Sequence, residues 1–234
     1  MQQASPIEAA LYLLVVRIGD CQSPHHMNTE LAMHEAIGRF FRSYHVHSTE
    51  PTVDTLFNLL NVLHSLNDRL RKQTRVGLFD CDEFLALKAL RNFFHHEAEL
   101  PSKIAVVPLI SGMTDLLFMC LARSEHVSRA FANPRISAEE RSRMESVIRF
   151  YGPVADLNPC VFNCAVKVFE KVESLGIAPK DNPAYEEFKA SYEYESQECL
   201  PHLVNGRLRV PVADIPALLA AIQEVSRDSG PAMP

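Results

Sequence analysis

Hydrophobic and polar positions recur at helical spacing along most of this chain. Ser5 and Pro6, as N-cap and first-position proline, open a first predicted helix over about residues 6–18. A second is predicted over about 28–44, with Leu31, His34, Ile37, Phe40 and Phe41 recurring along it. Glu50-Pro51 breaks the chain. Thr52 then opens a third helix over about 53–73, striped with Leu56, Leu59, Leu60, Leu63, Leu66 and Leu70. Asp80 or Asp82 is the expected cap of a fourth, over about 83–97, which Leu100-Pro101 stops.

The fifth predicted helix, about 109–131, is apolar nearly all round and is expected to be the most buried. Asn133-Pro134 ends it, and Ser137-Ala-Glu-Glu140 reads as the capping box of a sixth, reaching about 150. After a break at Gly152-Pro153, Asn158-Pro159 opens a seventh helix that closes at Leu175-Gly176. Asn182-Pro183 opens an eighth, to about residue 199. The period then changes. Residues 203–210 read as a β-hairpin on an Asn205-Gly206 turn of type I′, followed by a last helix over about 215–226 and a tail expected to fray. The predicted fold class is therefore all-α. Residues 1–131 form an antiparallel helical bundle, and 132–234 form a helical extension with the hairpin, packed on the bundle or as a subdomain.

Composition narrows the picture. The chain has 234 residues, 47% hydrophobic and 22% charged, which suits a globular domain and excludes wholesale disorder. Apolar runs at 9–16 and 116–122 fall well short of the roughly 18 residues that span a bilayer, so no membrane partner is expected. The opening Met1-Gln2-Gln3-Ala4 has no basic stretch, so a secretory signal is not expected. The six cysteines then read as reduced thiols in a cytoplasmic protein. A net charge of −6 provides no general basic field, so any contact with nucleic acid must be local. Gly-rich phosphate loops, dinucleotide fingerprints and nucleophile elbows are absent, and no cofactor is expected.

The strongest chemical signal is Leu90-Arg91-Asn92-Phe93-Phe94-His95-His96, near the end of the fourth predicted helix. It follows an apolar helical run, Phe84-Leu85-Ala-Leu87-Lys-Ala-Leu90, and precedes the predicted long apolar helix. The Arg-Asn-x3-His pattern in this setting resembles the HEPN superfamily of small helical bundles, over about residues 28–131. A second Arg-x4-His, Arg42 to His47, lacks the asparagine and stands before a loop. The resemblance implies a metal-independent endoribonuclease, as in toxins of toxin–antitoxin pairs or phage-defence effectors. It also implies a homodimer that brings two motifs into one cleft, an RNA substrate, and a protein antitoxin or regulatory partner. Arg91 would bind the scissile phosphate, His96 would act as acid or base, and Asn92 and His95 would support them.

The residue types fit that chemistry. Cleaving RNA through its own 2′-hydroxyl needs a proton-transfer group near neutral pH, which histidine supplies. It also needs a fixed positive charge on the phosphate, which the guanidinium fork supplies. Residues five apart on a helix lie about 140° from each other while residues four apart share a face, so either the helix ends before His96 and the motif closes by distortion, or His95 takes part; a composite site across a dimer relaxes the requirement.

Other constellations carry less. In Asn158-Pro159-Cys160-Val-Phe-Asn-Cys164 the first-turn position of Cys160 would favour a reactive thiol, against the plainer reading of small buried hydrophobes. No second Cys or His pair follows at zinc spacing, and His25, His26, His34, His45, His47 and His64 form no ligand motif, so no metal is expected. The aromatic-acidic run 185–198 either docks a basic partner or is the solvated face of an amphipathic helix. It motivates the alternative to a nuclease, a non-catalytic all-α interaction or regulatory module.

Overall fold

The computed structural model describes residues 24–96, 105–108, 116, 118–197, 202–205 and 215–227. The fold is mostly helical, with a small antiparallel sheet. Helix α1 spans Pro24–Thr49 and α2 spans Val53–Thr74. Thr52 caps α2 through a reciprocal pair of hydrogen bonds with Thr55, which satisfies two backbone donors at once. The short link at 50–52 folds α2 back antiparallel to α1. Cross-links follow that register, with Asn58 Nδ2 donating to Ser43 Oγ at 3.3 Å and Gln73 Nε2 donating to the Thr29 carbonyl at 3.1 Å.

Arg75 takes the left-handed conformation (φ 62°) and ends α2. The loop behind it folds over the buried Asn67, whose Oδ1 accepts from Leu78 N at 2.9 Å. Helix α3 then runs Asp82–His96. The residue ahead of it is Cys81, whose Sγ accepts from Phe84 N at 3.4 Å where the sequence suggested an aspartate cap. The acidic residues are drawn into ion pairs with later helices instead. Asp80 meets Lys171 at 2.6 Å, and Asp82 meets Arg143 and Glu83 meets Lys167, both at 2.5 Å.

The clearest departure from the sequence pattern is at the fifth predicted helix. Within 109–131 the structure has strand β2, Phe118–Arg123, and a short helix α4, Ser124–Phe131. The long apolar helix expected behind the motif is not formed; residues 109–115 and 117 lie outside the described residues. The reason is physical. A strand buried on both faces reads as an unbroken apolar run, as a buried helix does. Here Phe118, Cys120 and Ala122 face the main core, while Met119 and Leu121 face a second cluster under the last helix.

Strand β1 (Ala105–Pro108) pairs antiparallel with β2. Helix α5 (Ala138–Ser146) opens on the expected capping box, Ser137 with Glu140, but ends before the predicted boundary. Arg149–Tyr151 forms β3, and Val154–Asp156 forms β4. Gly152-Pro153 is thus a hairpin turn between them, with Gly152 at φ 68° where an L side chain would be strained. The strand order is β1-β2-β4-β3.

Helix α6 (Asn158–Ser174) and α7 (Pro183–Gln197) start as the sequence suggested. Asn182 Oδ1 caps α7 by accepting from Tyr185 N at 3.0 Å. The last helix, α8 (Ile215–Arg227), lays Leu218, Ile222 and Val225 on the face of the sheet away from the main core. One hydrophobic cluster runs continuously from Met33 to Tyr185. The first predicted helix, residues 206–210 of the predicted hairpin and the tail lie outside the described residues.

Candidate functional site

Helix α3 buries Phe84, Leu87, Leu90 and Phe94 along one stripe. That stripe fixes the rotation of the helix and decides where the motif residues point. Arg91 is half-buried beside α2, and its Nε donates to Asn61 Oδ1 at 3.0 Å. Its Nη1 donates to Asn92 Oδ1 at 3.2 Å. Two asparagines thus orient the guanidinium without neutralising it. Of its five donors, those on Nη2 have no partner among the described residues. His95 is exposed on the last turn and falls four residues after Arg91, the spacing at which helical side chains share a face. His96 is the last residue of the helix, and its side chain lies outside the described residues. The structure therefore joins Arg91 to Asn92 by a direct bond, while the role of His96 stays an expectation.

Asn92 also faces a groove of about 660 Å³. Lys88 and Phe93 line it from α3 and Arg129 from α4. Phe79 of the loop ahead of α3 and Arg135 of the α4–α5 connection complete the wall. The rings and cations are interleaved. Phe79 lies under Lys88 Nζ at 4.5 Å and Arg71 at 5.0 Å, and Phe93 lies under Arg129 at 5.3 Å, distances at which a cation is held by the ring face. The carboxylate of the groove, Glu140, already accepts from Ser137 N at 3.1 Å. Neither Lys88 nor Arg135 has an ion-pair partner among the described residues. The groove is therefore net positive around an apolar floor. That combination suits a phosphate ester joined to an aromatic ring.

Sequence reasoning missed Asn61, Phe79, Arg129 and Arg135. Only Lys88 carried a signal, standing four residues before Asn92 on the same helix. The two arginines reach the groove because α4 is short and turns at Asn133, which follows from the strand that the apolar run concealed.

The other candidates settle into structural roles. Cys160 and Cys164 are fully buried, and burial pushes both thiols well above their usual range, the opposite of activation. In Cys164 a hydrogen bond with Cys81 leads that rise. His64 lies 3.4 Å from Asp68, and His34 lies 4.0 Å from Glu30. His47, of the second Arg-x4-His, is buried, with Nδ1 at 2.9 Å from Thr55 Oγ1, and its partner Arg42 is bound to Glu35 at 2.8 Å. His25 and His26 have side chains outside the described residues. Among the described residues no three His, Cys, Asp or Glu side chains gather as a metal site would need, and no helix is long and apolar enough to cross a membrane. Comparison with family models, with curated proteins and with solved structures gives no match.

Proposed function

We propose that this protein binds RNA in the groove beside α3 and cleaves it without a metal, as HEPN-type ribonucleases do. The observation that carries the reading is the position of Asn92. It bonds Arg91 on one side and lines the cationic, aromatic groove on the other. Arg91 supplies charge to the scissile phosphate, and His95 or His96 moves the proton. Lys88, Arg129 and Arg135 hold flanking phosphates. On this reading the molecule works as a homodimer, and a toxin or antiviral role with a protein antitoxin accounts for a nuclease kept in check.

The test is cleavage of total RNA with EDTA present, by wild type and by Arg91→Ala, His95→Ala and His96→Ala. Cleavage by wild type, lost in Arg91→Ala and in one histidine variant, supports the proposal and identifies the acting histidine. Equal cleavage by wild type and Arg91→Ala refutes it. RNA binding without cleavage by any of them favours the non-catalytic module.

A further inference from the structure

A second groove of about 410 Å³ lies between the end of α1, α6 and one face of α7. Its chemistry is the reverse of the first. Helix α7 contributes Ala184, Glu187, Phe188, Ser191, Tyr192 and Glu195, spaced 3-1-3-1-3, which is a single helical face. Tyr44 from α1, Phe118 from β2 and Phe162 from α6 close the aromatic wall. The rings brace one another, with Tyr44 edge-on to Phe188 at 5.5 Å between centroids and Phe118 backed edge-on by His47 at 5.5 Å. Tyr192 is covered on one face by the stacked ring of His202 at 3.7 Å. The volume lies within the range of about 300–1,000 Å³ usual for small-molecule sites.

Charge selects the ligand. Glu187 and Glu195 both line the groove, and neither Lys nor Arg does among the described residues. An imidazole nitrogen stands near Oε2 of each carboxylate, His45 at 3.0 Å from Glu187 and His202 at 3.5 Å from Glu195. Oε1 of each keeps its capacity to accept. Thr49, the last residue of α1, also lines the groove and brings the negative end of that helix dipole to it. Ser48, Asn158 and Ser191 add neutral polar contacts. The hydroxyl of Tyr44 is pushed up to about 12, first by burial, while the charge of Glu195 adds to the rise and a hydrogen bond with Ser48 opposes it. That phenol stays neutral and offers its ring face at any physiological pH.

We propose that this groove binds a small organic cation, an ammonium group carried on an apolar or aromatic body. Carboxylates meet the charge, and the aromatic wall takes both the ammonium, through cation–π contact, and the body, through apolar burial. An anion would meet two carboxylates and a helix C-terminus, and a neutral apolar ligand would offer neither carboxylate a donor. The site is independent of the RNA reading and stands or falls separately.

The probes are phenethylammonium and its neutral counterpart 2-phenylethanol, titrated into the full chain by calorimetry and by NMR of the tyrosine rings. Wild type is expected to bind the ammonium about tenfold more tightly than the alcohol, with shifts at Tyr44 and Tyr192. The double variant Glu187→Gln/Glu195→Gln is expected to bring the two affinities together while leaving that of the alcohol unchanged, which shows the groove intact. Equal affinities in wild type overturn the proposal, as does ammonium binding that the double variant retains in full. Absence of saturable ammonium binding up to about 10 mM, a concentration that detects even millimolar affinity, also overturns it.

Discussion

The groove beside α3 and the groove beside α7 are both walled by aromatic rings and differ in what surrounds those rings. Beside α3, Lys88 and Arg129 sit over the rings, Arg135 lines the same groove, and the local carboxylate is taken up by a helix cap. Beside α7, Glu187 and Glu195 stand among the rings with imidazoles at their rims. The same aromatic material is therefore set in opposite electrostatic surroundings, and the sign is decided by a few charged side chains at each groove. Net charge hides this. A total of −6 argues against nucleic acid for the molecule as a whole, yet α3 and the α4–α5 connection gather a positive site within it.

The largest effect expected is at Arg91. Removing the guanidinium that donates to Asn92 should lower RNA cleavage about a hundredfold or more, as loss of a transition-state donor does in other enzymes. Phenethylammonium binding in the other groove should not change. If Arg91→Ala alters both grooves equally, the variant has disturbed the fold rather than the chemistry, and the contrast between the sites fails.

The second expected effect concerns two buried titratable groups, Asp156 of β4 and His47 of α1. Asp156 is 2% exposed and is held up at about 6, chiefly by burial, with bonds from the backbone N–H groups of Asn158 and Cys120 opposing the rise. A carboxyl raised in the folded state adds stability at low pH and loses it as pH rises through the folded value. His47 is held down to about 4 by burial, so it costs stability as pH falls from its unfolded value toward 4. The two effects oppose each other between about pH 4 and 6, and wild type should be nearly flat there. Asp156→Asn keeps the carbonyl acceptor and removes the charge. Above pH 6 the variant should be more stable by on the order of 2 kcal/mol, with the gain shrinking as pH falls toward 4. Urea unfolding at several pH values measures this. A variant less stable than wild type at neutral pH would mean that the ionised carboxylate has a stabilising partner.

The loop carrying Phe79 gives a third, smaller test. Asn67→Ala leaves Leu78 N without its buried acceptor and should destabilise the protein by about 1–3 kcal/mol. RNA binding should weaken with it, because Phe79 anchors Lys88. Cation binding beside α7 should hold at temperatures where the variant remains folded.

Most of the helices were legible in the chain because their signals are local. The opening at Thr52, the Ser137 capping box, Pro159, Gly176 and Asn182-Pro183 each act within one turn. The sheet was not. In β2, alternate residues enter two different cores, so both faces are apolar and the alternation that marks a strand disappears. That one misreading also hid the site. With a long helix through 109–131, Arg129 and Arg135 could not be placed beside Asn92. Within the site, the Arg91–Asn92 pair was legible because the two residues adjoin. Asn61, thirty positions away, was not, since nothing local distinguishes it from any other helical asparagine.

The smallest effects expected are at Lys88 and Arg135, and they probe the contrast most finely. Among the described residues neither belongs to an ion pair, so Lys88→Ala and Arg135→Ala should leave folding nearly unchanged. If each meets one phosphate, each substitution should weaken RNA binding about threefold to tenfold and reduce the slope of log affinity against log salt by about 1. The loss should be similar for RNAs of different sequence, because phosphate contacts position a strand without reading it. Glu140→Gln acts in the opposite sense. It removes the carboxylate charge while the amide oxygen can still accept from Ser137 N, and it should tighten RNA binding slightly. An unchanged salt slope in both cation variants would show that RNA does not run through this groove, whatever Arg91 does.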